Sequence, residues 1–334
     1  MTQQPQPLLD VRGLSKFFPI YSKGFFQRAV GNVKAVDRVS LRLFPGETLA
    51  LVGESGSGKT TAARTILRAL EPTAGQVLFR ANGHTVDLAA LRERQLKPLR
   101  TRMQMIFQDP FSSLNPRMTV GDIVGEPLVI HGLARGSALR DRVADMLERV
   151  GLKAHHAMRY PHAFSGGQRQ RVGVARALIL RPSLVIADEA VSALDVSVQA
   201  QVINLLEDLQ QEFHVAYLFV AHDLSVVKHI ADRVAVMYAG RIVELADTDA
   251  LFDDPLHPYT RALMSAVPYP DPDVKMRFQA PGEVADPAAL PPGCSFHPRC
   301  SQCFDRCSQE PPELREHAPG RFVACHLQDG DGSP

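Results

Sequence analysis

The stretch Gly53-Glu54-Ser55-Gly56-Ser57-Gly58-Lys59-Thr60 decides how this chain reads. It fits the pattern G-x-x-x-x-G-K-[ST], whose glycines let backbone N–H groups wrap a phosphate. Glu47 to Val52 before it reads as a buried strand. Thr61 to Leu70 after it reads as a helix, with Ala63, Ile66, Leu67 and Leu70 on one face. The helix N-terminus adds the positive end of its dipole at the same place. In that setting Lys59 reaches the β- and γ-phosphates of a nucleotide, and the Thr60 hydroxyl holds Mg²⁺.

The bulk numbers narrow the classes. A chain of 334 residues makes one large or two modest domains, and a net charge of +1 gives no basic excess that would call for nucleic acid. No run of eighteen or more apolar residues is present, so no single span of a membrane is expected. The polar start, Met1 to Pro7, lacks a signal-peptide core, which makes the cytosol the default compartment. All five cysteines fall between Cys294 and Cys325; in a cytosolic chain such clustering points to metal rather than to disulfides.

Along the chain, Leu8 to Arg12 reads as a strand and Tyr21 to Lys34 as a basic insertion, with a strand resuming from Val36 to Leu43. An aromatic such as Phe17 or Phe18 ahead of the phosphate loop can stack on adenine, although spacing alone favours core positions for both. Val77 to Phe79 reads as a strand and Leu91 to Arg102 as a solvated basic helix. Gln104 to Phe107 is a short apolar strand with Gln108 at its carboxyl end, able to ligate Mg²⁺ or orient water, or simply an exposed glutamine. Met118 to His162 turns helical, with Leu139, Val143, Met146, Leu147 and Val150 on one face. Ser165-Gly166-Gly167-Gln168 then opens another helix, where exposed N–H groups can hold phosphate.

Leu184 to Ala187 is a fully apolar strand ending in Asp188-Glu189. A carboxylate there, beside the phosphate loop, can hold Mg²⁺, and the next glutamate can act as a general base. Helix capping would explain these acids and Asp195 equally well. A long amphipathic helix (Val198 to Phe213), a buried strand (Val215 to Ala221) ending at His222, and a hairpin around Ala239-Gly240 follow. Strands alternating with helices predict an α/β fold on a largely parallel sheet.

Taken in order, Gly53–Thr60, Gln108, Ser165–Gln168, Asp188-Glu189, Asp195 and His222 resemble the ATP-binding cassette (ABC) family throughout. The resemblance implies a P-loop ATPase domain with an inserted helical subdomain (about 112–180) and an N-terminal antiparallel β subdomain. By the same resemblance Phe18 is the adenine-stacking aromatic, and Gly53 to Thr61 bind the phosphates. Thr60, Gln108 and Asp188 attend Mg²⁺, Glu189 is the catalytic base and His222 the γ-phosphate switch. Ser165–Gln168 close over the nucleotide of the opposite subunit, and Asp195 carries crosstalk between subunits. Ala190 departs from the family, which has proline after the catalytic glutamate.

Phe107-Gln108-Asp109-Pro110, Ser113-Leu114-Asn115-Pro116 and His257-Pro258-Tyr259-Thr260 look like the ATPases of dipeptide and oligopeptide importers, and the insertion after Phe18-Pro19 like their F-type subunit. The implied division is 8–255 for the ATPase and 256–330 for that subfamily's C-terminal region. The implied partners are a second related ATPase, two transmembrane permease subunits and, indirectly, a peptide-binding protein, at the cytoplasmic face of the inner membrane. Prolines 268, 270, 272, 281, 287, 291 and 292 suggest a wrapping linker before the cysteines. Cys294, Cys300, Cys307 and Cys325 resemble the subfamily's ligands of a [4Fe–4S] cluster; zinc or free thiols stay open, and Cys303 is extra. Other readings are a soluble ATPase of chromosomes or ribosomes, and a nucleotide-binding regulatory half. The Lys59 to Ser165 interval is too short for a chromosome-type coiled coil, the chain has one cassette rather than two, and Glu189 and His222 are present. Cargo such as nickel or glutathione is not separated from peptide.

Overall fold

The computed structural model describes residues 6–22, 28–109, 111–265 and 285–329. Two sheets organise them. An antiparallel sheet of order β2-β1-β4-β5 is built from β1 (Leu9–Tyr21), β2 (Ala29–Leu43), β4 (Ala74–Ala81) and β5 (His84–Asp87). The second sheet has the order β11-β12-β10-β9-β3-β8-β7-β6. Its strands are β3 (Thr48–Val52), β6 (Met103–Ile106), β7 (Leu184–Asp188), β8 (Ala216–Val220), β9 (Arg233–Tyr238), β10 (Arg241–Asp247), β11 (Arg315–Ala318) and β12 (Arg321–Val323). From β9 to β6 the neighbours run parallel; β10, β12 and β11 continue antiparallel.

The parallel strands are buried on both faces, as their unbroken apolar runs require. Side chains alternate between two cores: Leu49, Leu51, Ile186 and Leu218 face the antiparallel sheet, while Ala50, Val52, Val185 and Phe219 face the helices. The helices are α1 (Lys59–Ile66), α2 (Glu93–Leu99), α3 (Val120–Ile130), α4 (Gly136–Arg149), α5 (Gly166–Leu178), α6 (Val196–Phe213), α7 (Leu224–Ile230), α8 (Thr248–Asp253), α9 (Pro258–Ser265) and α10 (Asp305–Gln309).

Most expected elements are present, with four differences. The helix after the phosphate loop stops at Ile66 rather than Leu70, because Arg68 turns left-handed at φ 56°. The insertion from Tyr21 to Lys34 is largely paired strand, with Phe18 opposite Val33 and Ile20 opposite Gly31. Phe18 is not a core residue but 36% exposed, and Lys16 Nζ lies 5.0 Å from its ring centroid. Finally, the C-terminal hairpin β11–β12 covers the edge of the main sheet at β10. Of the linker prolines, 268, 270, 272 and 281 lie outside the described residues.

Candidate functional site

The sheet order puts the carboxyl ends of β3, β8, β7 and β6 side by side, and each delivers one group. β3 runs into the phosphate loop, β8 into His222, β7 into Asp188-Glu189, and β6 into Phe107-Gln108. Ligands of open α/β sheets bind at this edge.

The loop needs its glycines for close approach as well as for conformation. Gly58 sits at φ 101°, and a Cβ there would stand 2.0 Å from the Ala35 carbonyl oxygen. Lys59 is buried, and its Nζ donates to the carbonyl oxygens of Gly53 at 2.7 Å and Glu54 at 3.0 Å. Burial pulls its pKa down, while the carboxylates of Glu189, Asp188 and Glu54 push it back. Those two carbonyls hold the ammonium within the loop.

Thr60 Oγ1 donates to Asp188 Oδ1 at 2.8 Å. The other oxygen, Asp188 Oδ2, is buried without a hydrogen-bond partner, and burial raises the acid's pKa. A buried, orphaned carboxylate oxygen beside a hydroxyl is what a hard divalent cation satisfies, so Thr60 and Asp188 fit Mg²⁺. Gln108 Nε2 donates to Glu189 Oε2 at 2.7 Å, beside the same strand end. His222 Nδ1 lies 3.4 Å from the same oxygen.

Glu189 itself has φ 47°, a left-handed backbone that is costly for a non-glycine residue. Its N–H donates to Val220 and its carbonyl accepts from the Ser192 N–H and hydroxyl, which hold that conformation. Strain of this kind aims the carboxylate off the end of β7.

Ser165 caps α5 by accepting from Gln168 N–H, and the Gln168 side chain returns a bond to the Ser165 N–H. The motif packs on the start of α6: a Cβ on Gly167 would be 2.3 Å from Val198 Cγ1. Among the described residues no hydrogen bond or ion pair joins Ser165–Gln168 to the phosphate loop. Asp195 is the N-cap of α6 without a side-chain cap bond.

Sequence reasoning did not give Tyr259 or Arg299 a place beside the phosphate loop. The Glu54 N–H donates to Tyr259 Oη at 2.8 Å, and Arg299 grips the Glu54 carboxylate with two bonds, 2.8 and 3.0 Å.

Four of the five cysteines, Cys294, Cys300, Cys307 and Cys325, line one small cavity of about 10 Å³, while Cys303 is exposed. Burial pushes the Cys294 thiol up to about 11 and that of Cys325 up to about 12. The expected donors are gathered, but that void holds about one water. Among the described residues no group of three or more His, Cys, Asp or Glu is spaced to hold a metal ion. The [4Fe–4S] expectation is therefore unsupported by the geometry.

Among the described residues no helix is long and apolar enough to cross a membrane. Residues 36–192 match the family described as ABC transporter, and residues 243–307 match the oligopeptide/dipeptide transporter, C-terminal region. The chain is 54% identical over 326 residues to the oligopeptide transport ATP-binding protein AppF of Bacillus subtilis (strain 168), covering 96% of this chain and 98% of that one. It is 53% identical to the probable peptide ABC transporter ATP-binding protein y4tS of Sinorhizobium fredii, covering 96% and 90%. Among solved structures, the dimeric ATP-binding cassette MJ0796 in a post-hydrolysis state with ADP and Pi is 26% identical, with a TM-score of 0.61 over 72% of this chain and 98% of that chain.

Proposed function

The chain belongs to the ABC transporter family, and from that premise we propose that it hydrolyses ATP to power the import of dipeptides or oligopeptides across the bacterial inner membrane. The observation that carries the reading is the single row of strand ends. Lys59, the Thr60–Asp188 pair, and Glu189 held by Gln108 meet there in a chain whose C-terminal region is of the peptide-transporter type.

The proposed chemistry follows from the groups. Lys59 releases the Gly53 and Glu54 carbonyls to meet the β- and γ-phosphates, and the loop N–H groups wrap the same oxygens. Thr60 and Asp188 would hold Mg²⁺, which supplies charge neutralisation on the phosphates when bound. Glu189 takes the proton of a water that attacks the γ-phosphorus, the bond to ADP breaks, and His222 donates to the departing phosphate. Gln108 and His222 keep Glu189 Oε2 fixed, which aims Oε1. Phe18, exposed at the end of β1, is free to stack on adenine, and Asp195 carries crosstalk between subunits. We assign 8–255 to the ATPase, with its helical subdomain at about 112–180, and 256–330 to the peptide-transporter region.

ABC cassettes work as dimers with membrane permeases. The separation of Ser165–Gln168 from the chain's own phosphate loop supports a composite site, in which this motif closes over the nucleotide of a second related ATPase. Two permease subunits complete the assembly at the cytoplasmic face, and a peptide-binding protein delivers the cargo. The cysteine ligand set, Cys294, Cys300, Cys307 and Cys325 with Cys303 outside it, is carried by the subfamily resemblance and not by the present spacing of the thiols; iron, sulfide and zinc content after anaerobic purification decides whether a [4Fe–4S] cluster, zinc or no metal is held there. The function is tested by tagging the chain at its native locus and identifying what co-purifies from detergent-solubilised membranes. Two permeases, a second ATPase and peptide-stimulated ATP turnover are expected. Recovery only from the soluble fraction without membrane partners would overturn the importer reading.

A further inference from the structure

We propose that Arg299 and Tyr259 are positioning residues for nucleotide binding, holding the phosphate loop through Glu54. The inference deepens the ATP-site reading and rests on it. Glu54 is the second residue of the loop, and three of its groups are spoken for. Its N–H goes to Tyr259 Oη and its carboxylate to the Arg299 fork, while its carbonyl accepts from Lys59 Nζ at 3.0 Å. The C-terminal clamp and the lysine that meets phosphate are therefore joined by one residue.

The clamp is rigid on its own side. Tyr259 is fully buried, with its ring centroid 4.6 Å from that of Tyr238 and 5.4 Å from that of Phe296. Its backbone N–H is fixed by His257 Nδ1 at 3.0 Å. The Arg299 guanidinium lies 5.7 Å from the Phe296 centroid and 5.9 Å from that of Tyr238, and its side chain is only 9% exposed. A paired, bidentate guanidinium in such surroundings is a strong and directional contact.

Two consequences bear on ATP. A loop already held in one shape loses less entropy when phosphate arrives. Arg299 also neutralises a carboxylate that would otherwise repel phosphate at the mouth of the loop. Cys300 follows Arg299 directly and lines the thiol cavity, so the clamp ties that cavity to the phosphate loop one residue away.

The test measures Mg·ADP binding to the full-length chain by calorimetry, with thermal unfolding of each variant alongside. Arg299→Gln is expected to raise Kd about tenfold, the scale of one charge-assisted contact. Adding Glu54→Gln to it removes the stranded carboxylate and should recover a good part of that loss. A role confined to folding the tail would not give that recovery. Arg299→Lys should fall between, keeping the charge without the fork. Tyr259→Phe keeps the ring and removes only the acceptor, and should weaken binding several-fold while melting within a few degrees of wild type. Kd values for Arg299→Gln and Tyr259→Phe within twofold of wild type would overturn the proposal, as would a double variant no better than Arg299→Gln. Lys59→Ala is the separate control: if it too binds normally, the nucleotide-site reading has failed rather than the clamp.

Discussion

Replacing Asp188 by Asn separates the stability of the site from its chemistry. Asp188 is fully buried at the end of β7, and only Oδ1 has a hydrogen-bond donor, Thr60. The nearest cation to Oδ2 is Arg64 at 3.7 Å, with its own side chain 47% exposed. Burial raises the Asp188 pKa, so the folded chain holds the proton more tightly than the unfolded one. Stability is thus fully present below the unfolded value and is lost as pH rises through the folded one. An unsatisfied buried acceptor costs about 1–3 kcal/mol, and more when charged; a half-exposed ion pair returns less than about 1 kcal/mol. Asn keeps the Thr60 bond through its own Oδ1 and deletes the charge, while leaving a less costly unpaired N–H₂ in its place. The net expected gain is about 1 kcal/mol at neutral pH, or roughly 1–2 °C in Tm for a chain of 334 residues. On the proposed assignment the same change removes a Mg²⁺ ligand, so Mg·ATP should raise the Tm of the variant far less than that of the wild type. The assay is thermal unfolding in EDTA, then with Mg·ATP. A variant that melts below wild type in EDTA would refute the picture of an unbalanced buried charge. Equal stabilisation of both proteins by Mg·ATP would refute the ligand role.

Glu189→Gln keeps the shape of the side chain and loses the base, so turnover should drop by roughly 10²–10⁴-fold while ATP stays bound; retained turnover, read by phosphate release, would remove Glu189 from that role. Gly167→Ala places a Cβ 2.3 Å from Val198 Cγ1 and should cost about 1–3 kcal/mol by overpacking, despite the better helix propensity of alanine. Adding Val198→Ala should return most of that loss; the urea midpoints of the two variants decide it. His257 is wholly buried, with its pKa pushed down to about 3 from an ordinary 6.5. A depressed histidine contributes stability that is present above pH 6.5 and drains away as the pH falls towards 3, by up to about 1.4 kcal/mol per pH unit. His257→Asn, whose Oδ1 can take the Tyr259 N–H in place of Nδ1, should flatten the loss between pH 7 and 5; an unchanged slope would assign the acid lability to another group.

What could be read from the chain and what could not divide along physical lines. β3, β7 and β8 are short apolar runs buried on both faces, and the groups at their ends follow from chain direction alone, so Lys59, Asp188, Glu189 and His222 were legible. Phe18 was not. The register of β1 against β2 shifts at several points between Val11 and Tyr21, and each shift resets which side chains face the core. The hairpin β11–β12 is short, with Arg315, Glu316, His317 and Arg321 among its residues, so no apolar alternation announces an edge strand. Arg299 and Tyr259 lie 245 and 205 positions from Glu54. No local periodicity connects residues so far apart; only the packing of Tyr238, Tyr259 and Phe296 brings them to the loop.

That packing also orders events in the dimer. The C-terminal region grips the phosphate loop through Glu54, on the face that carries Lys59 and Thr60. Among the described residues no hydrogen bond or ion pair joins Ser165–Gln168 to that loop, and the motif is backed by Val198 of α6. On the proposed composite site, binding of nucleotide by a chain needs only its first face, whereas closure of the pair needs the second face of its neighbour as well. A perturbation of the C-terminal region therefore reaches the chain's own loop directly, and its first sign should be weaker binding at that chain's own site. On the proposed composite site, hydrolysis at the neighbour's loop depends on this chain's Ser165 motif and should be the later and smaller casualty.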